Sequence, residues 1–232
     1  AEAGSWRALV PMGAGLENYV DVVERVPFGR YMLNSVLVNG GIVALGLMVN
    51  SAAGYALARL RWRGRGAVLA AVMAILVVPF EAIAVPLFYQ LTAVGWRDTL
   101  LVQVVPFIAN PLAVYLFYAF FLEMPRELEE AARVDGAGPV RTFTTIIVPN
   151  AGPAFASVTI VTFLLYWGMY LWPLLMTTRE AVRPLPLGVA AFHTLPPLQW
   201  GDIMAFGVMM VLPVLIVFFA LQRWFVRGVA AS

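Results

Sequence analysis

Long uncharged runs dominate the chain. Tyr31–Ala58, Thr99–Leu122, Thr142–Thr178 and Ile203–Gln222 contain no Asp, Glu or Arg, and Gly66–Trp96 is interrupted only by Glu81. About 20 apolar residues carry a helix across the roughly 30 Å hydrocarbon core of a bilayer. Inside that core only helices or closed barrels satisfy every backbone N–H and C=O. None of the runs shows the strict alternation of barrel strands. The pattern predicts an all-α polytopic membrane protein with five transmembrane helices, near 32–58, 67–92, 99–122, 153–176 and 203–225. The run from Thr142 exceeds one span, so its first residues are expected at the membrane interface.

Composition agrees. Of the 232 residues, 62% are hydrophobic and 12% charged, against roughly 45–50% and about 25% in soluble domains. A single soluble core does not hide that much apolar surface. There is no cysteine, which excludes disulfides and thiolate metal sites. All basic residues are Arg, placed between apolar runs rather than in a nucleic-acid patch.

Those Arg residues orient the chain. Arg59, Arg61, Arg63 and Arg65 follow the first apolar run with no acid among them, which places this link in the cytoplasm. Alternation then puts 95–98 and 177–202 outside, and Glu123–Asn150 and the Arg223/Arg227 tail inside. Residues 1–30 form an extracytoplasmic segment and 31–232 the membrane domain. An outside N-terminal segment implies one more span before Ala1. Gly40, Ala44, Gly54 and Ala58 form a small-residue stripe on the first helix, suited to close helix contact within the chain or with another subunit.

The polar stretch 123–150 is too long and too patterned for a connector. Pro125 suits the first turn of a helix. Glu127, Glu129 and Glu130 lie where the helix dipole favours anions, and Glu129 and Arg133 have i,i+4 spacing for an ion pair. Gly136 suits a left-handed helix end. A second short helix, Pro139–Ile147, leads to Pro149. Leu128, Ala131 and Ala132 make a small apolar face on the first helix, beside Glu130 and Arg133. This describes a helix–glycine–helix elbow on the cytoplasmic face; its residues alone are equally compatible with a re-entry loop resting on headgroups.

On these residues the chain resembles the inner-membrane permease subunits of type I ABC importers. Their signature is Glu-Ala-Ala, three residues, Gly, nine residues, Ile, one residue, Leu-Pro. Here it reads Glu130-Ala131-Ala132, Gly136, Ile146, Val148 and Pro149, with Val148 for Leu as the one departure. The segments Glu17-Asn18-Tyr19, Asn34-Ser35, Val85-Pro86-Leu87, Trp172-Pro173-Leu174 and Leu185-Pro186-Leu187-Gly188 are similar to the carbohydrate branch, which serves maltose, trehalose and glycerol phosphate. In that branch the first of these segments usually follows a transmembrane helix, so a sixth, N-terminal helix is expected to be absent from this chain.

The resemblance implies a subunit of the bacterial inner membrane that translocates a sugar or sugar derivative. It implies a second permease subunit, usually a different one, two ATPase subunits, and an extracytoplasmic solute-binding protein. ATP and Mg belong to the ATPase subunits, since this chain has no Gly-rich Lys-Ser/Thr phosphate loop and is itself no enzyme. The resemblance assigns ATPase coupling to Glu130, Ala131, Ala132, Arg133, Asp135, Gly136, Ile146 and Pro149.

Substrate-pathway candidates come from buried polarity and aromatic clustering. Glu81 is the one acid inside a predicted span, flanked by Pro79 and Pro86, and must face a cavity or a partner group. Tyr89 and Gln90 follow on the same helix. Tyr166, Trp167 and Tyr170 suit sugar stacking, or the interfacial aromatic belt in which Trp172 is also expected. His193 stands alone in an outer loop. The rival readings within transport are an amino-acid or peptide ABC permease and an ion-coupled secondary transporter. An intramembrane hydrolase would need a nucleophile–base pair or metal cluster, and the sequence presents neither.

Overall fold

In the computed structural model, which describes residues 15–194 and 199–229, all regular structure is helical. Residues 1–14 of the expected outer segment, and the side chains of His193, Arg223 and Arg227, lie outside the described residues. Residues 15–30 contain α1 (Glu17–Arg25) and the first residues of α2 (Phe28–Ala58). Helix α2 crosses without interruption, as its uninterrupted apolar run predicts.

The predicted span 67–92 is not one helix. It divides into α3 (Arg65–Leu76) and α4 (Phe80–Ala93), bent by 101°. Pro79 is the cause. It lacks an N–H and disfavours the helical conformation of the residue before it, and it sits in extended backbone as the N-cap of α4. Pro86 lies within α4, which continues past it to Ala93.

The next span is α5 (Leu101–Val104) with a 3₁₀ turn at Val105–Phe107, then α6 (Pro111–Glu123), bent by 40°. The polar loop forms α7 (Glu127–Val134), α8 (Pro139–Thr142), a π-helical turn at Phe143–Ile147 and α9 (Val148–Asn150). The stretch 139–150 lies at 80° to α10 (Gly152–Trp167), consistent with the interfacial placement expected for the residues after Thr142. Helix α10 ends sooner than predicted. Gly168 interrupts it, and α11 (Leu171–Met176) follows, ending before Thr177. The chain closes with α12 (Leu185–Thr194) and α13 (Trp200–Val229). By length and composition, α2 and α13 are each sufficient spans, and counting each bent pair as one span raises the number to five.

Helix α2 is the hub, packing against α6, α10, α12 and α5. Its small-residue stripe divides. A Cβ on Gly54 would stand 2.6 Å from Phe117 Cβ and 2.9 Å from the Tyr118 backbone N, so this glycine permits the α2–α6 crossing. Ala58 is buried beside it. Gly40 has open space beside it and, with Ala44, is exposed.

Polar side chains of α2 bind the irregular backbone of its neighbours. At its start, Asn34 Nδ2 donates to the Ala181 and Arg183 carbonyls at 2.9 and 2.8 Å, and Ser35 Oγ accepts from Leu185 N at 2.7 Å. Midway, Asn39 Nδ2 donates to Phe163 O at 3.2 Å. Lower down, Asn50 donates to Ile108 O at 3.0 Å and accepts from Asn110 N at 2.9 Å, across the α5–α6 break.

A second tie holds the end of α11. Asp98, with φ 59°, accepts from Thr178 N and Thr178 Oγ1, each at 2.5 Å, and from Arg179 N at 2.8 Å. Desolvation alone would raise the Asp98 carboxyl, but these donors and the Arg179 charge outweigh it and hold the carboxyl below the usual range.

Gly54→Val is expected to force the α2–α6 crossing apart at a cost of about 1–3 kcal/mol, seen as a lower melting temperature in detergent, while Gly40→Ala leaves melting unchanged. Because the folded pKa of Asp98 is lowered, its contribution is complete at neutral pH and is lost as pH falls through that lowered value. Amide exchange at 177–179 should therefore accelerate on acidification, and in Asp98→Asn that pH dependence should be absent.

Candidate functional site

The elbow at 123–150 is built by capping chemistry. Glu129 N and Glu130 N both donate to Arg126 O at 3.0 Å, which makes Arg126 the N-cap and starts α7 two residues beyond Pro125. Pro125 therefore precedes the helix instead of occupying its first turn. At the other end Ala137 N donates to Ala132 O at 2.9 Å and Gly136 N to Arg133 O at 3.1 Å. Gly136 has φ 77°. That is the paired-bond glycine stop described for left-handed helix ends, as the sequence predicts. Helix α8 then restarts at Pro139, with Thr142 N donating to Gly138 O at 2.9 Å. The second helix continues past Ile147 to Asn150 through the π-helical turn, a feature often found at functional positions.

Arg59, the residue that closes α2, fastens this elbow to the spans. Its Nε donates to Phe121 O at 2.6 Å, and a terminal guanidinium nitrogen donates to Met124 O. The same Nε lies 3.9 Å from Glu129 Oε1, with both side chains largely buried. Glu129 thus has Arg59 as its partner, in place of the expected Arg133. The guanidinium hydrogen-bonds the two carbonyls, while its approach to Glu129 is an ion-pair contact, and Glu129 Oε1 has no hydrogen-bond partner among the described residues. Behind it, the Tyr55 ring packs 5.0 Å from Phe143 of the π-helical turn and 6.1 Å from Phe121.

The fastening divides α7 into two faces. Ala132 is 2% exposed and packs inward. Glu130, Ala131, Arg133, Asp135 and Gly136 are exposed, Pro149 is exposed and Ile146 half-buried. The expected apolar face is accordingly split, with Ala132 inside and Ala131 outside. Two further residues join the free surface: Val134, 88% exposed, and Val140, 77% exposed. Charged neighbours conceal them in the sequence. The role of Arg59 is equally hidden, although its position directly after a 31-residue helix is a signal of a helix-closing group.

The pathway candidates fall into two groups. Glu81, in the first turn of α4, is exposed, as are Tyr89 and Gln90. Glu81 and Gln90 are nine positions apart, about half a turn out of phase at 3.6 residues per turn, and lie on opposite faces of α4. Tyr170 is exposed at the break before α11. Tyr166 and Trp167 are engaged within the chain. Tyr166 Oη accepts from Asn110 Nδ2 at 2.7 Å. Trp167 donates to Met210 O at 2.9 Å and stacks on Phe163 at 5.0 Å. Trp172, expected in the interfacial belt, is instead fully buried, donating to Val102 O at 2.8 Å, because the break at Gly168 turns α11 inward against α4 and α5.

The sequence profile of the family described as "Binding-protein-dependent transport system inner membrane component" matches residues 43–231. The trehalose/maltose transport system permease protein MalG of Thermococcus litoralis is 30% identical over 97% of this chain and 82% of its own length. The arabinooligosaccharides transport system permease protein AraQ of Halalkalibacterium halodurans is 33% identical over 96% of this chain and 80% of its own. A solved bacterial ABC transporter involved in import of the acidic polysaccharide alginate superposes with a TM-score of 0.80, covering 93% of this chain and 81% of that one. At 23% identity this likeness concerns the fold.

Arg59→Met removes the donors for Phe121 O and Met124 O and strands the Glu129 carboxylate, each a cost of about 1–3 kcal/mol. Hydrogen exchange across 127–134 is expected to accelerate by about ten-fold or more. Unchanged exchange there would show that Arg59 does not hold the elbow.

Proposed function

The chain belongs to the binding-protein-dependent transport system inner membrane component family, and we propose that it translocates a sugar or sugar derivative under power from ATP hydrolysed on partner subunits. It is an ABC importer permease. The carbohydrate reading draws its support from relatives serving trehalose/maltose and arabinooligosaccharides. In this reading a second permease subunit completes the pathway, and an extracytoplasmic binding protein presents the solute at the end that carries α1 and the Asp98 tie. ATP and Mg act on the two ATPase subunits below the elbow.

One observation carries the coupling role: α7 is bound tightly on one side and free on the other. Its inner side is tied through Glu129 and Arg59 to α2 and α6. Its outer side offers Glu130, Ala131, Arg133, Asp135 and Gly136, with Ile146 and Pro149 on the second helix of the elbow. A helix held this way passes a push from a partner to two spans as rigid bodies, which is the element alternating access requires. Gly136 has no heavy atom within 4 Å of where its Cβ would be. Substitution there strains the left-handed cap without a clash inside the chain.

For the solute, Glu81, Tyr89, Gln90 and Tyr170 are the exposed members of the candidate set, with polar groups that can meet hydroxyls. Tyr166 and Trp167 then line the pathway from behind, orienting the helices that carry those groups.

Glu130→Lys and Gly136→Val are expected to leave insertion and subunit assembly intact while lowering both solute uptake and binding-protein-stimulated ATPase activity by about ten-fold. Wild-type values for both activities in an assembled complex would remove the coupling role from this segment.

A further inference from the structure

Between the α2–α3 link and α7 lies a pocket of about 330 Å³ whose wall is mostly arginine. Arg61 and Arg65 enter from the link, Arg126 and Arg133 from the elbow. Arg59 and Glu129 also border it, but they are paired with each other. That leaves four guanidinium groups against the single carboxylate of Glu130, a net of +3. Arg65 makes one long bond, at 3.4 Å, to Leu60 O. The guanidinium groups of Arg61, Arg126 and Arg133 have neither an ion pair nor a hydrogen bond among the described residues. Like charges do not converge on one cavity without an electrostatic cost unless an anion joins them.

The level of the pocket identifies the anion. Its upper wall is Ala58 and Leu60, where α2 ends, and Arg65, where α3 begins. Trp62, 41% exposed, lies in the same link and donates to Ala56 O at 3.2 Å. One sufficient span, α2, thus ends at the pocket rim and the apolar helix α3 begins there, which puts the mouth near the level of cytoplasmic headgroups in the orientation set by the Arg residues. Guanidinium groups bind phosphate oxygens bidentately, and basic pockets between transmembrane helices on the cytoplasmic side accept anionic headgroups.

We infer that this pocket binds the phosphate of an anionic inner-leaflet lipid, joining Arg61 and Arg65 of the α2–α3 link to Arg126 and Arg133 of the elbow. The bound phosphate then braces α7 alongside the Arg59 contact, which borders the same pocket. Membrane charge becomes a determinant of how firmly the elbow is held. The inference rests on the convergence of Arg61, Arg65, Arg126 and Arg133 on one pocket and is independent of which solute is carried.

The test uses the assembled complex purified in detergent, with retained phosphatidylglycerol counted by native mass spectrometry. Arg61→Gln/Arg126→Gln is compared with wild type and with Arg63→Gln, a neighbouring arginine outside the pocket. At about 1 kcal/mol per basic residue near the lipid surface, the double variant is expected to bind phosphatidylglycerol roughly 30-fold more weakly. Arg63→Gln should match wild type. Phosphatidylcholine should not be retained by any of the three. Equal retention of phosphatidylglycerol by the double variant and wild type overturns the site. So does displacement of the lipid by millimolar inorganic phosphate, since the pocket then serves a free anion. Loss of the lipid whenever the ATPase subunits are attached overturns it too, because an acidic partner segment then fills the pocket. The readout is lipid mass, so failure of the transport reading leaves this result interpretable.

Discussion

A broken helix inside a bilayer leaves carbonyls and N–H groups that no water reaches, and each must find a donor or acceptor within the protein. This chain breaks its spans repeatedly, at 77–79, 108–110, 151 and 168–170. It does so around one helix that is never broken. Helix α2 carries Asn34, Ser35, Asn39, Asn50 and Arg59 along about 46 Å of rise. Each of these side chains reaches main-chain groups of another element at or near a bend, loop or helix end. Asn50 is the clearest case, since it donates to Ile108 O and accepts from Asn110 N on the two sides of one break. The straight helix is the frame on which the bent ones hang.

The same arrangement explains how a force at one end is felt in the spans. Arg59 is the last of these polar contacts, and it alone joins α2, α6 and α7. At the other end Asn34 and Ser35 hold the segment 181–185. A displacement of α7 therefore acts on a rod whose far end grips the opposite face. The segment between α11 and α12 has a second anchor in Asp98, whose carboxylate takes three donors from Thr178 and Arg179. Buried Asn and Ser on an apolar helix are costly unless satisfied. Here the broken neighbours supply partners for Asn34, Ser35 and Asn50 and for the amide nitrogen of Asn39, whose Oδ1 alone of these groups is buried without one.

Helices α3 and α4 stand apart from this frame. Ala84 is their single buried residue, and hydrophobic residues from Val68 to Val85 are exposed along them. A helix pair that is apolar and scarcely packed on its own chain faces lipid or another subunit. Glu81 lies within this pair, so it belongs to the part of the chain least enclosed by its own residues, whereas Asp202 in the first turn of α13 is fully buried and paired with Arg25.

Uninterrupted apolar length made α2 and α13 legible from sequence, because hydropathy depends only on composition within a window. The elbow was legible for a different reason. Capping is local chemistry, and the spacing of the acids, Gly136 and Pro139 determines a helix, a left-handed stop and a restart whatever surrounds them. The spacing from Glu130 to Pro149 placed the chain among importer permeases before any geometry was known. Tertiary structure alone decided the rest. Pro79 marked a disturbance, but a proline states no angle, and only the structure gives the 101° bend. Glu129 had a plausible partner four residues away, yet a buried arginine seventy positions earlier took that role, since low local dielectric favours the enclosed pair over the exposed one. Trp172 had the sequence of a belt residue and became core. Side-chain type and local spacing determine which contacts are possible, and only the assembled helices determine which of them are dry enough to prevail.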